Sequence, residues 1–174
     1  LREKLNITQD KVIFLYQGFL HKGRGIKQMI QLLPIFKNAH VVIIGKGHYK
    51  DELINYGLKL GLIKRIHFYG AVPYLDLLEV SAEANIGFSL IQPISKSYEQ
   101  ALPNKLFEYA LAGIPIIASN LPEMEKIINE YGIGRLVTHD DLNGQIDSIT
   151  KILNNKKGKE IQKIAEKYLV WETQ

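Results

Sequence analysis

The chain has 174 residues, 46% hydrophobic and 23% charged, with a formal net charge of +4; this is the size and composition of one α/β domain spanning 1–174 with a real core, and it excludes a disordered or fibrous chain. Cysteine is absent, which excludes a disulfide framework, a thiolate metal site and a cysteine nucleophile. The positive charge is scattered except at Lys156, Lys157, Lys159 and Lys163, which read as a solvated helix surface, so nucleic acid is not an expected partner.

Short β-branched runs alternate with helix-period segments, the signature of a mostly parallel sheet with helices on both faces. Lys11 to Tyr16 reads as a buried strand ending at Gly18, and Ile26, Met29, Ile30 and Leu33 follow at helical spacing. His40 to Ile44 is the second strand, closed by Gly45 and Gly47, with Asp51 to Leu60 as a helix weakened at Gly57. Arg65 to Tyr69 is the third strand, and Pro73 opens a helix through Glu83. Asn85 to Leu90 is the fourth strand, followed by a long loop from Ile91 to Leu102, whose length marks it as functional. Pro103 starts a helix that Gly113 caps, Ile114 to Ala118 is the fifth strand, and Pro122 opens a helix through Glu130. Gly134 to Val137 is a last strand, and two helices, Asp140 to Asn154 and Lys159 to Val170, complete the chain.

In open parallel sheets ligands bind at the carboxyl ends of strands, where loops lead into helix N-termini that attract anions. Three loops have that placement. The first holds Gly18, Lys22, Gly23, Arg24 and Gly25, which combines close backbone approach with fixed positive charge and suits a phosphate or diphosphate; a flexible charged turn is an equal reading of these residues alone. It matches neither the Walker loop nor the G-x-G-x-x-G pattern. In the second, Gly45 and Gly47 read first as turn glycines, beside the Gly70 to Pro73 segment. The third carries Glu99 in the loop and Lys105 and Glu108 on one face of the next helix, with Phe107, Leu111 and Ala112 able to face the sheet. A surface ion pair between Lys105 and Glu108 is the plain alternative. A first-turn lysine opposes the helix dipole unless an anion is bound there, which favours a site.

The histidines, His21, His40, His48, His67 and His139, lack metal-ligand spacing, and neither HExxH, D-x-D nor G-x-S-x-G occurs. No metal site is expected. No apolar run is long enough to cross a bilayer, and an opening without a signal region is expected of a cytoplasmic piece of a longer protein.

The run from Pro103 through Lys105, Glu108 and Gly113-Ile114-Pro115 to Ala118 resembles the C-terminal signature of retaining GT-B glycosyltransferases, the family-four group in particular. The resemblance extends to Tyr16-Gln17-Gly18 through Arg24-Gly25, Ile43 to Gly47, Phe68 to Pro73 and Leu121-Pro122-Glu123, almost the whole chain. It implies one half of a GT-B fold, a Rossmann-like parallel sheet of about six strands, binding a UDP- or GDP-linked sugar donor. It implies that Glu108 takes the ribose hydroxyls, that Arg24, Lys105 and the amides of Asn104 and Lys105 hold the diphosphate, and that Gly18 approaches it. Ala71 and Val72 would meet the base, with Gly45 and Gly47 shaping that wall, and Glu99 would reach the donor sugar.

This sequence departs from the pattern twice. The family's two glutamates stand one residue closer together than Glu99 and Glu108, so Gln100 occupies the expected slot and competes with Glu99 for the sugar contact. Phe19 replaces an arginine, leaving one phosphate contact missing or supplied by Lys22. The resemblance further implies retention of configuration without an enzyme nucleophile, Glu99, Gln100, Arg24 and Lys105 being the catalytic candidates, and no cofactor or metal. It implies a missing N-terminal domain that binds an acceptor glycan or lipid-linked sugar and any contact with the inner membrane face, so this chain alone is expected to be inactive. A nucleotide-sugar 2-epimerase and a non-catalytic phospholigand-binding module are the competing expectations.

Overall fold

Side chains along β1 (Val12–Gln17) alternate between two cores, Phe14 and Tyr16 entering one and Ile13 and Leu15 the other, as a strand covered on both faces requires. β2 (Ala39–Ile44) repeats the pattern, with Val41 and Ile43 opposed to Val42 and Ile44. In the computed structural model, which describes residues 1–155 and 157–169, these strands join β3 (Ile66–Gly70), β4 (Ile86–Ser89), β5 (Ile116–Ser119) and β6 (Gly134–Val137) in one sheet ordered β3-β2-β1-β4-β5-β6. Every strand pair is parallel. The parallel α/β sheet expected from the alternation of elements is present, Rossmann-like and six-stranded as the resemblance implies, and its order reverses between β1 and β4, the place where such sheets open a crevice for ligands.

Both faces are covered. α2 (Ile26–Gln31), α3 (Lys50–Lys59) and α8 (Leu142–Asn154) bury Ile26, Met29, Ile30, Leu53 and Ile149 against the Phe14 side. α6 (Lys105–Leu111), α7 (Pro122–Tyr131) and α9 (Gly158–Tyr168) bury Leu106, Met124, Ile128 and Ile161 against the Ile13 side. α4 (Tyr74–Ser81) joins that second layer through Leu77 and Val80. The glycine at 57 does not break α3; an added Cβ would lie 2.7 Å from Ile66 Cδ1, so its absence lets the helix approach β3.

Three short elements escape hydrophobic periodicity because each is about one turn long. These are α1 (Arg2–Leu5), a 3₁₀ turn at Ile63–Arg65, and α5 (Lys96–Glu99). The last corrects the expected structureless loop from Ile91 to Leu102 and places Glu99 in a helix, capped where Ser95 Oγ accepts from the Tyr98 amide at 3.4 Å. The expected helix to Val170 is seen as α9, while Val170 itself and Lys156 lie outside the described residues. Lys157, Lys159 and Lys163 are exposed, as a solvated surface requires.

The face that α6 turns to the sheet also needs correction. Leu106, Tyr109 and Ala110 are fully buried, whereas Phe107, Leu111 and Ala112 are only partly covered. Helix phase explains it: Leu106, Tyr109 and Ala110 share one stripe at spacings of three and four. The pairing of β1 with β4 ends at Leu15 and Gly87, while β1 runs on to Gln17. Tyr109 closes this divergence, its hydroxyl accepting from the Gln17 amide at 2.9 Å and donating to Leu15 O at 3.2 Å. It reaches that position because residue 87 is glycine: a Cβ there would stand 2.5 Å from the Tyr109 ring. We expect Gly87→Ala to destabilise the domain by about 1–3 kcal/mol through overpacking, read as a lower urea midpoint with an unchanged slope; an unaltered midpoint would remove Tyr109 from this account.

Candidate functional site

A cleft of about 500 Å³ opens at the carboxyl ends of β1, β2 and β3, beneath the start of α6. Of the residues named from the sequence, Gly18, Arg24, Gly45, Ala71, Val72, Asn104, Lys105 and Glu108 line it. Gly47, Glu99 and Gln100 do not: Gly47 packs beside the Leu20 backbone, and Glu99 and Gln100 are exposed at the end of α5. Residues given no site role from the sequence complete the wall, chiefly Tyr16, Gln17, Lys46 and Leu77. Gln17 carried a readable signal, a polar residue closing an apolar strand at the end where ligands bind. Leu77 carried none, since its place depends on how α4 crosses the sheet.

Backbone contacts shape the floor. The Gly18 amide donates to Ile44 O at 2.9 Å and the Gly45 amide to Gly70 O at 2.9 Å, so the first turns after three strands are stitched together. Gly45 has φ +135, and a Cβ on it would lie 2.0 Å from Gly18 O. No other residue type tolerates both conditions. The reading of Gly45 as a plain turn glycine therefore gives way to a structural role in the cleft floor.

Lys105 is the unusual group. It is 8% exposed, its Nζ lies 3.9 Å from the Tyr16 ring centroid, and a Cβ on Gly18 would stand 3.9 Å from that same nitrogen. Among the described residues no carboxylate approaches it within salt-bridge distance, so the plain ion pair with Glu108 is not formed. Burial, reinforced by the Arg24 charge and only partly opposed by Glu108, pushes the amine down to about 7. Burial likewise pushes the Tyr16 phenol up to about 12. Arg24 is braced from the far side, its guanidinium 4.9 Å from the Tyr98 ring of α5. Arg24 and an amine that a bound anion would protonate thus face one cavity, with neither within salt-bridge distance of Glu108, an arrangement that suits a multiply charged ligand.

The negative partner in the cleft is held from behind. Gln17, 2% exposed, donates its side-chain amide to Glu108 Oε2 and accepts from Ser81 Oγ at 2.9 Å. The first hydrogen bonds of α6 are donated by Leu106, Phe107 and Glu108 to the carbonyls of Pro103 and Asn104, so the amides of Asn104 and Lys105 precede them. Lys22, the expected substitute for the arginine that Phe19 replaces, points elsewhere: it meets Glu52 at 3.5 Å. His40 and His67 share a 2.9 Å contact between Nδ1 and Nε2 on β2 and β3, outside the cleft lining. Among the described residues no group of His, Asp or Glu is arranged to hold a metal, and no helix is long and apolar enough to cross a membrane.

The family model described as glycosyl transferases group 1 matches residues 1–168. An uncharacterized glycosyltransferase of Methanocaldococcus jannaschii is 26% identical over 132 residues, 73% of this chain and 32% of that protein. Sucrose-phosphate synthase from Thermosynechococcus elongatus superposes with a TM-score of 0.84 at 21% identity, over 98% of this chain and 44% of its own. The Anabaena protein HepE, crystallised with UDP and glucose, gives 0.79 at 17% identity over 95% and 46%. The C-terminal domain of a glycosyl transferase group 1 family protein from Francisella tularensis gives 0.74 at 16% identity over 97% and 91%. The chain therefore spans about a third of its curated relative and under half of the two longer solved chains, but nearly all of an isolated C-terminal domain.

Proposed function

The chain belongs to the glycosyl transferases group 1 family, and from that membership we propose that it is the donor-binding half of a retaining glycosyltransferase that moves a sugar from a nucleoside diphosphate to a glycan or lipid-linked acceptor. The observation that carries this reading is the convergence of Arg24, Lys105 and Glu108 on one cleft with the Gly18 and Gly45 turns. Three requirements of a nucleoside diphosphate are met there. The Glu108 carboxylate is an acceptor for two ribose hydroxyls. Arg24, Lys105 and the Asn104 and Lys105 amides supply positive charge and donors for the diphosphate. Ala71, Val72 and Leu77 supply a small apolar wall with backbone groups for the base.

In the transfer the carbon–oxygen bond between sugar and diphosphate breaks, and negative charge grows on the departing phosphate. Preorganised cations near that oxygen lower the barrier because they need no reorientation as charge develops. We propose that Arg24 and the protonated Lys105 fill this role without a metal. The retaining course needs no nucleophile from this chain: the acceptor attacks on the face from which the diphosphate leaves. We assign the donor-sugar contact to Glu99 or Gln100: they lie outside the cleft lining, but α5 adjoins it, the Tyr98 ring lying 4.9 Å from the guanidinium of Arg24, which lines the cleft. The acceptor is assigned to an N-terminal domain, so this chain alone binds donor without turnover.

The test is calorimetric titration with UDP, GDP and ADP, followed by the sugar conjugate of whichever nucleotide binds. UDP comes first because the similar HepE structure holds UDP. One nucleoside diphosphate is expected to bind, its monophosphate more weakly; the absence of heat with all three would overturn the assignment.

A further inference from the structure

We propose that Gln17 is a positioning residue that holds the Glu108 carboxylate ready for a ribose, and that Ser81 fixes Gln17 in turn. The proposal rests on the reading of Glu108 as the ribose acceptor and extends it to two residues that do not touch the ligand's reacting atoms.

Gln17 closes β1 at the point where β1 and β4 diverge, and it is 2% exposed. A buried amide is costly unless each of its groups is paired. Here both ends are paired, and the chemistry allows only one orientation. Glu108 Oε2 can only accept, so the Gln17 NH₂ group must face it; Gln17 Oε1 then faces Ser81 Oγ at 2.9 Å, and the hydroxyl must donate. Ser81 is 0% exposed at the end of α4. The Gln17 backbone is fixed independently by Tyr109, which accepts its amide at 2.9 Å. The relay therefore joins α4, β1 and α6.

The consequence for the site is specific. One carboxylate oxygen of Glu108 accepts from the protein side, and its other oxygen, with the remaining lone pair of the first, is left for the cleft. A glutamate on a helix normally samples many rotamers, and binding would have to order it; Gln17 imposes that order on folding instead. Discrimination between ribose and deoxyribose should then depend on Gln17 through the orientation it gives Glu108.

The experiment compares UDP, 2′-deoxy-UDP and UMP on the wild-type chain and on Gln17→Met, Gln17→Glu and Ser81→Ala, with thermal melting beside each titration. Gln17→Met, similar in volume but without donors, is expected to weaken UDP about tenfold and to bring the UDP to 2′-deoxy-UDP preference close to one. Its UDP to UMP preference should stay at the wild-type value, because the diphosphate contacts are untouched. Ser81→Ala should lower the ribose preference less. Gln17→Glu should bind poorly relative to wild type at pH 8, where two carboxylates oppose each other, and recover toward wild type at pH 5.5 as a shared proton restores the donor. That recovery carries the test if Gln17→Met fails to fold. Wild-type ribose preference retained in Gln17→Met, or a Gln17→Glu variant whose affinity relative to wild type is the same at both pH values, would overturn the positioning role. A wild-type chain that binds no nucleotide overturns the function proposed above and this inference with it.

Discussion

Replacing Glu108 with alanine should lower the affinity of the domain for UDP roughly 10- to 100-fold while leaving its melting temperature close to that of the wild type. The magnitude follows from losing a charged acceptor for ribose hydroxyls, about 1.5–3 kcal/mol, with 1.4 kcal/mol per tenfold. The spared stability follows from position. Glu108 is partly exposed on the cleft side of α6, while the helix is anchored from its opposite face by Leu106, Tyr109 and Ala110. Truncation leaves one Gln17 N–H without its acceptor, but the space vacated by the side chain adjoins the cleft and is expected to admit a water in its place. Calorimetry and a thermal melt on the same preparation separate the two effects. Equal affinities for UDP in variant and wild type would remove Glu108 from the site; a collapse in melting temperature would make it a structural residue.

Glu108 was also the residue most legible in the sequence, and the reason is its context. Lys105, Glu108, Gly113 and Pro115 form a run that resembles the family signature, and the resemblance implies the role of Glu108; the residues alone left a surface ion pair with Lys105 as the plain alternative. The strands were legible from local pattern: Ile13 to Tyr16 and Val41 to Ile44 are apolar on both faces, which only a central parallel strand explains. What escaped depends on contacts between residues distant in the chain. Ser81, Gln17 and Glu108 meet across 64 and 91 positions, and no spacing rule announces them. Gly45 looked like a turn glycine because the Gly18 carbonyl that crowds it comes from another loop. α5 escaped because one turn of helix has no period to detect, which left the positions of Glu99 and Gln100 unreadable.

Lys105 carries the second large effect, and here stability and binding should move in opposite directions. Its amine, ordinarily at 10.5, is pushed down to about 7 in the folded chain by burial and by Arg24. Between these values the unfolded chain holds a proton that the folded chain does not, so stability from this group falls as pH drops from 10.5 toward about 7 and is constant below that. Lys105→Met removes the penalty and keeps an apolar stem against Tyr16; the variant should be more stable than wild type at pH 7, with the gap closing as pH rises toward 10.5. Nucleotide binding should behave oppositely. A diphosphate selects the ammonium, so wild-type affinity for UDP should be flat below about pH 7 and decline above it, by up to about tenfold per pH unit, as each binding event must take up a proton. Lys105→Met should bind UDP roughly 10- to 100-fold more weakly at pH 6.5 and lose this pH dependence. Titrations at pH 8 in two buffers of different ionisation enthalpy measure the uptake directly. Zero proton uptake by the wild type together with an unchanged affinity in Lys105→Met would mean that the diphosphate is held by Arg24 and backbone amides alone, and that Lys105 serves the cleft only as a wall; zero uptake with weakened Lys105→Met binding would mean that the amine is already charged in the free chain.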